Sequence, residues 1–169
     1  MTTLAGRVRR LLLAAAMAGV GAAAQAQTVD FDPAVAQSCL DRGDAGACIG
    51  LAADHCMLVT PGGGSTAGMG FCLRAELEWW DAALNTAYGQ MVAQAQRIDA
   101  SDSGTPGRPS DIEALRAMQR AWIAYRDASC SYEELQWWGG TGAHGAGLSC
   151  RLQLTAAQTL RLRAMIYHE

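Results

Sequence analysis

Two pairs of carboxylates, Glu76 with Asp81 and Glu133 with Glu134, stand close enough in sequence to suggest a glycoside-hydrolysing acid and base. Helical surfaces commonly carry such charges, and no apolar pocket signature accompanies these. A Ser-His-Asp triad has no support either: there is no G-x-S-x-G, and His144 sits among glycines. A cysteine nucleophile is disfavoured because every cysteine has a potential partner. Metal binding is a poor reading, since no C-x-x-C pair occurs and His55, His144 and His168 lack ligand spacing. The chain therefore reads as a non-enzyme without cofactor or metal.

The cysteines have a better explanation. Arg7, Arg9 and Arg10, then the small apolar run Leu11 to Ala24, then Ala24-Gln25-Ala26 read as a signal peptide over residues 1–26. The apolar run is too short for a comfortable membrane span, and no lipid-attachment cysteine follows it. The expectation is a periplasmic or secreted protein with no membrane span after signal cleavage. In that compartment Cys39, Cys48, Cys56, Cys72, Cys130 and Cys150 form a disulfide framework. Several connectivities are open. Positions that bracket turns favour Cys130–Cys150, Cys56–Cys72 and Cys39–Cys48. All 13 basic residues are Arg, and losing three with the signal leaves a distinctly acidic chain against 16 Asp and Glu. That argues against nucleic acid as a partner.

Helices must position these residues. Residues 27–66 read as a short helical appendage with a glycine-rich connector. Pro33 suits a first turn with Asp32 as N-cap, Asp44 is a second possible cap, and Pro61-Gly62-Gly63-Gly64 breaks the chain. Thr66 is a candidate N-cap for the first long helix. From Cys72 to about Ala100, Leu73, Leu77, Trp80, Leu84, Tyr88, Met91, Ala95 and Ile98 recur at steps of three and four. Gly89 interrupts this helix and offers room for a close neighbour. Glu76, Glu78 and Asp81 lie near its start, where the helix dipole favours anions. A second break, Asp102 to Pro109, precedes Ser110 and Glu113 at capping-box spacing. The next helix carries Leu115, Met118, Trp122 and Tyr125 on one face and extends to Trp138. A third break, Gly139 to Gly147, precedes a last helix with Leu148, Leu152, Thr155, Thr159, Leu162 and Ile166 in register. The fold expected is all-α: a small disulfide-stapled antiparallel bundle of three main helices, over 67–169, with the N-terminal appendage.

Trp122 is expected to anchor the core, with Tyr125 beside it on the same stripe. Arg126 and Asp127 are consecutive, so they do not share a helix face; each is expected to pair with another helix, through Asn85 or Asp81. Arg120 should face solvent. In the pairs Trp79-Trp80 and Trp137-Trp138, one ring is expected inside and the other partly exposed, the exposed ones being candidate contacts.

Three patterns together resemble one family. The first is Met69, Cys72, Glu76, Trp80, Asp81, Leu84, Asn85 and Tyr88. The second is Gln119, Arg120, Trp122, Tyr125, Arg126, Asp127 and Cys130. The third is a glycine-rich gap followed by Cys150, Thr155 and Arg161. They resemble the LprI-type lysozyme-inhibitor domain over about Ala67 to Arg163, with Cys39, Cys48 and Cys56 outside the shared pattern. The resemblance implies an exported helical domain that binds and inhibits lysozyme or a related peptidoglycan hydrolase, without enzymatic activity. The alternative is a periplasmic structural or interaction domain that does not inhibit. A candidate inhibitory element is the loop Gly139 to Gly147, whose Thr141 and His144 offer hydrogen bonds to a carboxylate-lined cleft; the competing reading is that this loop is only a connector.

Overall fold

The computed structural model describes residues 28–43, 45–102 and 106–166. The expected signal peptide, the Asp44 cap and His168 lie outside the described residues. The element order is α1 (Ala34–Leu40), a 3₁₀ turn (Ala45–Cys48), α2 (Leu51–Val59), α3 (Thr66–Ser101), α4 (Asp111–Leu135) and α5 (Ala143–Ile166). No strand occurs among these residues.

The three long helices run up, down and up, so α3 and α5 are parallel neighbours packed directly on each other, and α4 runs antiparallel to both, packed chiefly on α5. Thr159 Oγ1 lies 3.4 Å from the Trp80 carbonyl, and Leu84 meets Leu162 further along. The last helix is the axis of the bundle. Its expected stripe is borne out from Leu148 through Leu152, Thr155 and Thr159 to Leu162, all buried, while Ile166 at its end is only partly so. The α3 stripe also holds, but it is rotated toward Cys72, Glu76, Trp80 and Leu84, an unbroken i+4 series. Trp80 is the fully buried anchor, against Leu152 and Ala156. Trp122 does not take that role. It is partly exposed and packs at the margin of the Leu84–Ala87–Leu162 cluster, because α4 buries only Leu115 and Cys130. Tyr125, one turn further, is 60% exposed rather than packed in the core.

The three expected disulfides are present: Cys39–Cys48, Cys56–Cys72 and Cys130–Cys150, with sequence separations of 9, 16 and 20. The last one staples the start of α5 to the end of α4, a constraint of about 3 kcal/mol by loop entropy. The first two fasten the N-terminal helices. Leu40 of α1 and Ile49, just before α2, pack against the Trp80 cluster, so the N-terminal segment helps to close the core rather than hang from it.

Caps explain the helix boundaries. Asp32 Oδ1 accepts the Ala34 N–H at 2.9 Å, as expected. Ser65, not Thr66, caps α3 by accepting the Gly68 N–H. A Cβ on Gly68 would come within 2.7 Å of Gly63 Cα, so that position requires glycine for close approach. Gly89 has nothing comparable: it is exposed, and no neighbouring helix comes near. Ser110 caps α4 through the Glu113 N–H, 3.3 Å away. Asp99, at the end of α3, completes this cap by accepting from Asp111 N–H at 2.7 Å, Ile112 N–H at 3.2 Å and the Ser110 hydroxyl at 2.7 Å. The Asp111 backbone hydrogen bond, followed by the Ser110 one, holds the Asp99 carboxyl below the usual aspartate range.

Glu76 is the other unforeseen cap. It lies roughly three turns inside α3, so the dipole of its own helix does not account for it. Its side chain is fully buried. Oε1 accepts the Gly50 N–H at 2.7 Å and the Trp80 indole N–H at 3.0 Å, and Oε2 accepts the Ala53 N–H at 2.6 Å. A carboxylate of α3 thus satisfies the free amides at the start of α2. Far from being a solvated surface charge, it joins the N-terminal helices to the bundle.

Candidate functional site

The Cys130–Cys150 bridge defines the end of the α4–α5 hairpin. Beyond Leu135 the chain continues in a tight turn: the amides of Gln136, Trp137 and Trp138 bond to the carbonyls of Glu133, Glu134 and Leu135. Gly139 then takes a φ of 77°, a left-handed conformation that turns the chain toward α5. α4 therefore ends before the Trp pair, and α5 begins at Ala143, inside the expected glycine loop. The connector is short, and Thr141 is exposed within it. His144 is not in the connector. It occupies the first turn of α5, where Arg74 NH2 lies 3.5 Å from its Nε2.

Both rings of the second Trp pair face solvent, contrary to the expectation of one inside and one out. Trp137 is 57% exposed and Trp138 85%. Tyr132 and Leu135, in the last turn of α4, are also more than half exposed. Trp138 and Leu135, with Ser131, Glu134, Gly139 and Ala143, line a groove of about 560 Å³. In the first pair the expected division is seen: Trp80 is buried, and Trp79 meets it edge-on at 4.8 Å between ring centroids.

The remaining motif residues separate into two groups. Cys72, Leu84, Cys130 and Cys150 are buried structural positions. Tyr88 packs on the Leu84 cluster, and Gln119 Oε1 accepts from Gln158 Nε2 at 3.2 Å, tying α4 to α5. The others do not fill the core. Asp81 Oδ2 accepts from Asn85 Nδ2 at 3.0 Å. These two, with Leu77, Glu78, Ala82, Arg126 and Arg151, line a mixed polar groove of about 400 Å³. Arg126 does not form its expected ion pair with α3. Its Nε and NH2 both lie 2.9 Å from Oδ1 of the adjacent Asp127, and its guanidinium is 5.0 Å from the Trp122 ring centre. Its long stem lets it curl back over its own helix, which the divergence of adjacent Cα–Cβ directions does not prevent. Arg120 faces solvent.

The carboxylates that first suggested chemistry are dispersed. Glu76 is a buried cap, Asp81 holds Asn85, Glu133 is exposed, and Glu134 faces Arg151 at 3.7 Å. Among the described residues no group of three or more His, Cys, Asp or Glu side chains is placed to hold a metal ion. No helix of the described residues is long and apolar enough to cross a membrane.

The architecture is that of a small disulfide-stapled helical domain that exposes four large apolar or aromatic side chains, Tyr132, Leu135, Trp137 and Trp138, at the end of one hairpin. The chain belongs to the lysozyme inhibitor LprI family, whose pattern it matches over residues 56–162. The match begins at Cys56, so the Cys56–Cys72 bridge falls within the family region, although the shared pattern read from sequence left Cys56 outside. Similar proteins include an uncharacterised 17.7 kDa protein in the puhA 5' region of Rhodobacter capsulatus, 30% identical over 70% of this chain and 74% of its own. An uncharacterised protein of Rhizobium meliloti is 30% identical over 58% of this chain and 71% of its own. The uncharacterised YecT of Escherichia coli is 30% identical over 54% of this chain and 59% of its own. No solved structure matches the chain.

Proposed function

We propose that this chain is an exported, non-catalytic protein-binding domain that inhibits a lysozyme-type cell-wall hydrolase in the periplasm or outside the cell. Family membership supports the class of target. Three disulfides and the signal-like N-terminus support an oxidising destination. The observation that carries the reading is the exposed pair Trp137 and Trp138 on a disulfide-stapled hairpin. Tryptophan is among the residue types enriched at interface hot spots. A staple that fixes the hairpin beforehand reduces the ordering cost of docking. The inserting element is then the turn 136–142, with Thr141 as its hydrogen-bond donor and His144 at its flank. The acidic body assists encounter with a cationic hydrolase.

The test is a titration of lysozyme activity against wild type and a Trp137→Ala/Trp138→Ala variant. Wild type should inhibit, and the variant should need at least about tenfold more protein for the same effect, given a loss of roughly 1.4 kcal/mol or more. Equal inhibition by both would remove the hairpin end from the mechanism. Binding without inhibition would favour an interaction domain instead.

A further inference from the structure

Arg74 and His144 come from different helices and meet at the bundle end that bears the aromatic turn. The parallel course of α3 and α5 brings them together. With Thr66, Ala67, Gly70 and Phe71 they line a small pocket of about 140 Å³. Gly70 leaves room under the imidazole, since a Cβ there would sit 3.7 Å from His144 Cδ2. Arg74 also has an acidic neighbour one turn along its own helix, Glu78, at a spacing that commonly pairs. It does not use it. Among the described residues the ion pairs involve Arg108, Arg126 and Arg151, and no carboxylate lies within ion-pair distance of Arg74. Its guanidinium, with five N–H donors, turns instead to a ring nitrogen that accepts at most one.

We propose that Arg74, His144 and the Thr66 hydroxyl form a carboxylate-binding pocket, filled by an Asp or Glu side chain of the protein that docks on the hairpin end. This source of the carboxylate rests on the function proposed above. The planar guanidinium presents paired donors matched to the two oxygens of a carboxylate. The imidazole and the Thr66 hydroxyl bring further hydrogen-bonding groups to the same lining, and Phe71 brings an apolar one. The volume is well below the roughly 300 Å³ of sites that enclose a whole small molecule. It suits a head group delivered on a side chain. Inorganic oxyanions share this chemistry, so the experiment separates them.

The test uses the full disulfide-bonded protein. In the first arm, His144 ring resonances are followed by NMR during titration with acetate, and separately with inorganic phosphate, at constant ionic strength. Acetate should shift them saturably, and Arg74→Gln should weaken the response at least fivefold. A response that never saturates, or that is unchanged in Arg74→Gln, overturns the pocket. In the second arm, lysozyme binding is measured for wild type, Arg74→Gln, His144→Gln and Arg120→Gln. The first two variants should lose about tenfold in affinity, and Arg120→Gln should stay within about twofold of wild type. Phosphate binding tighter than acetate, with lysozyme affinity unmoved by Arg74→Gln, overturns the protein source and leaves a free-oxyanion site. If wild type binds no lysozyme, the proposed function fails and the protein source with it, while the acetate arm still decides the pocket.

Discussion

Replacing Glu76 by Gln changes almost nothing in shape, which makes it a sharp probe of the buried cap. The carboxylate accepts from three donors with both oxygens. A glutamine side chain has one acceptor oxygen and one amide nitrogen. If its oxygen takes the place of Oε1, the bonds from Gly50 and Trp80 survive, but the NH₂ group faces the Ala53 N–H across a 2.6 Å gap. Two donors then oppose each other in a site without solvent access. Losing one charge-assisted bond and leaving a buried N–H unpaired should together cost about 2 to 3 kcal/mol. Glu76→Ala orphans all three donors and leaves a cavity beside Trp80, a loss of roughly 4 kcal/mol or more. Urea unfolding with the disulfides intact, followed by tryptophan fluorescence, reads the global loss. Hydrogen exchange at the Gly50 and Ala53 amides reads the local one, and should accelerate at both in Glu76→Ala and mainly at Ala53 in Glu76→Gln. A Glu76→Gln loss below about 0.5 kcal/mol with exchange unchanged would refute the reasoning.

Trp80→Ala should cost about 3 to 5 kcal/mol and Trp122→Ala only about 1 to 2, because the first ring is fully buried and the second partly exposed; the same unfolding assay showing the reverse order would contradict the packing. The folded Asp99 carboxyl titrates below its ordinary 3.8, so its contribution to stability is fully present above that value and is lost as pH falls through the lowered one. The melting-temperature gap between wild type and Asp99→Asn should therefore be widest near neutral pH and close only in strongly acidic solution; a gap that is constant with pH would show that the cap does not act through charge.

Periodicity made the long helices legible, and it located the buried face of α5 residue by residue. The disulfide pairing was legible because each pair brackets a turn. What spacing conveyed less well was how deeply each stripe is buried. Leu115, Met118, Trp122 and Tyr125 repeat as regularly as the α5 stripe, yet α4 lies at the margin of a three-helix packing and its stripe runs out into solvent at Tyr125. Glu76 had a legible signal of its own: it stands midway between Cys72 and Trp80 at steps of four, so it must share their face. Two of its three donors, the Gly50 and Ala53 amides, come from more than twenty positions away in sequence, and no local pattern announces them. At the candidate site, the glycine content of residues 139–147 suggested a longer loop than exists. Glycines 145 and 147 are carried inside α5 because the disulfide and the packing of Leu148 outweigh their weak helix propensity. That difference moved His144 from a loop to a helix face beside Arg74.

The three disulfides join neighbouring cysteines in order of their position along the chain. No bridge encloses another or crosses it. A chain threaded into an oxidising space amino end first would present each cysteine to its native partner before the next pair arrived. The order of arrival, rather than loop size, selects the pairs: Cys48 and Cys56 lie closer in sequence than any native pair, but a Cys39–Cys48 bridge closed first leaves Cys56 only Cys72 as its next partner. Oxidation of such a chain needs no later shuffling of mispaired sulfurs. The covalent framework of this domain is thus written as a sequence of local events, and it can be complete soon after the last cysteine emerges.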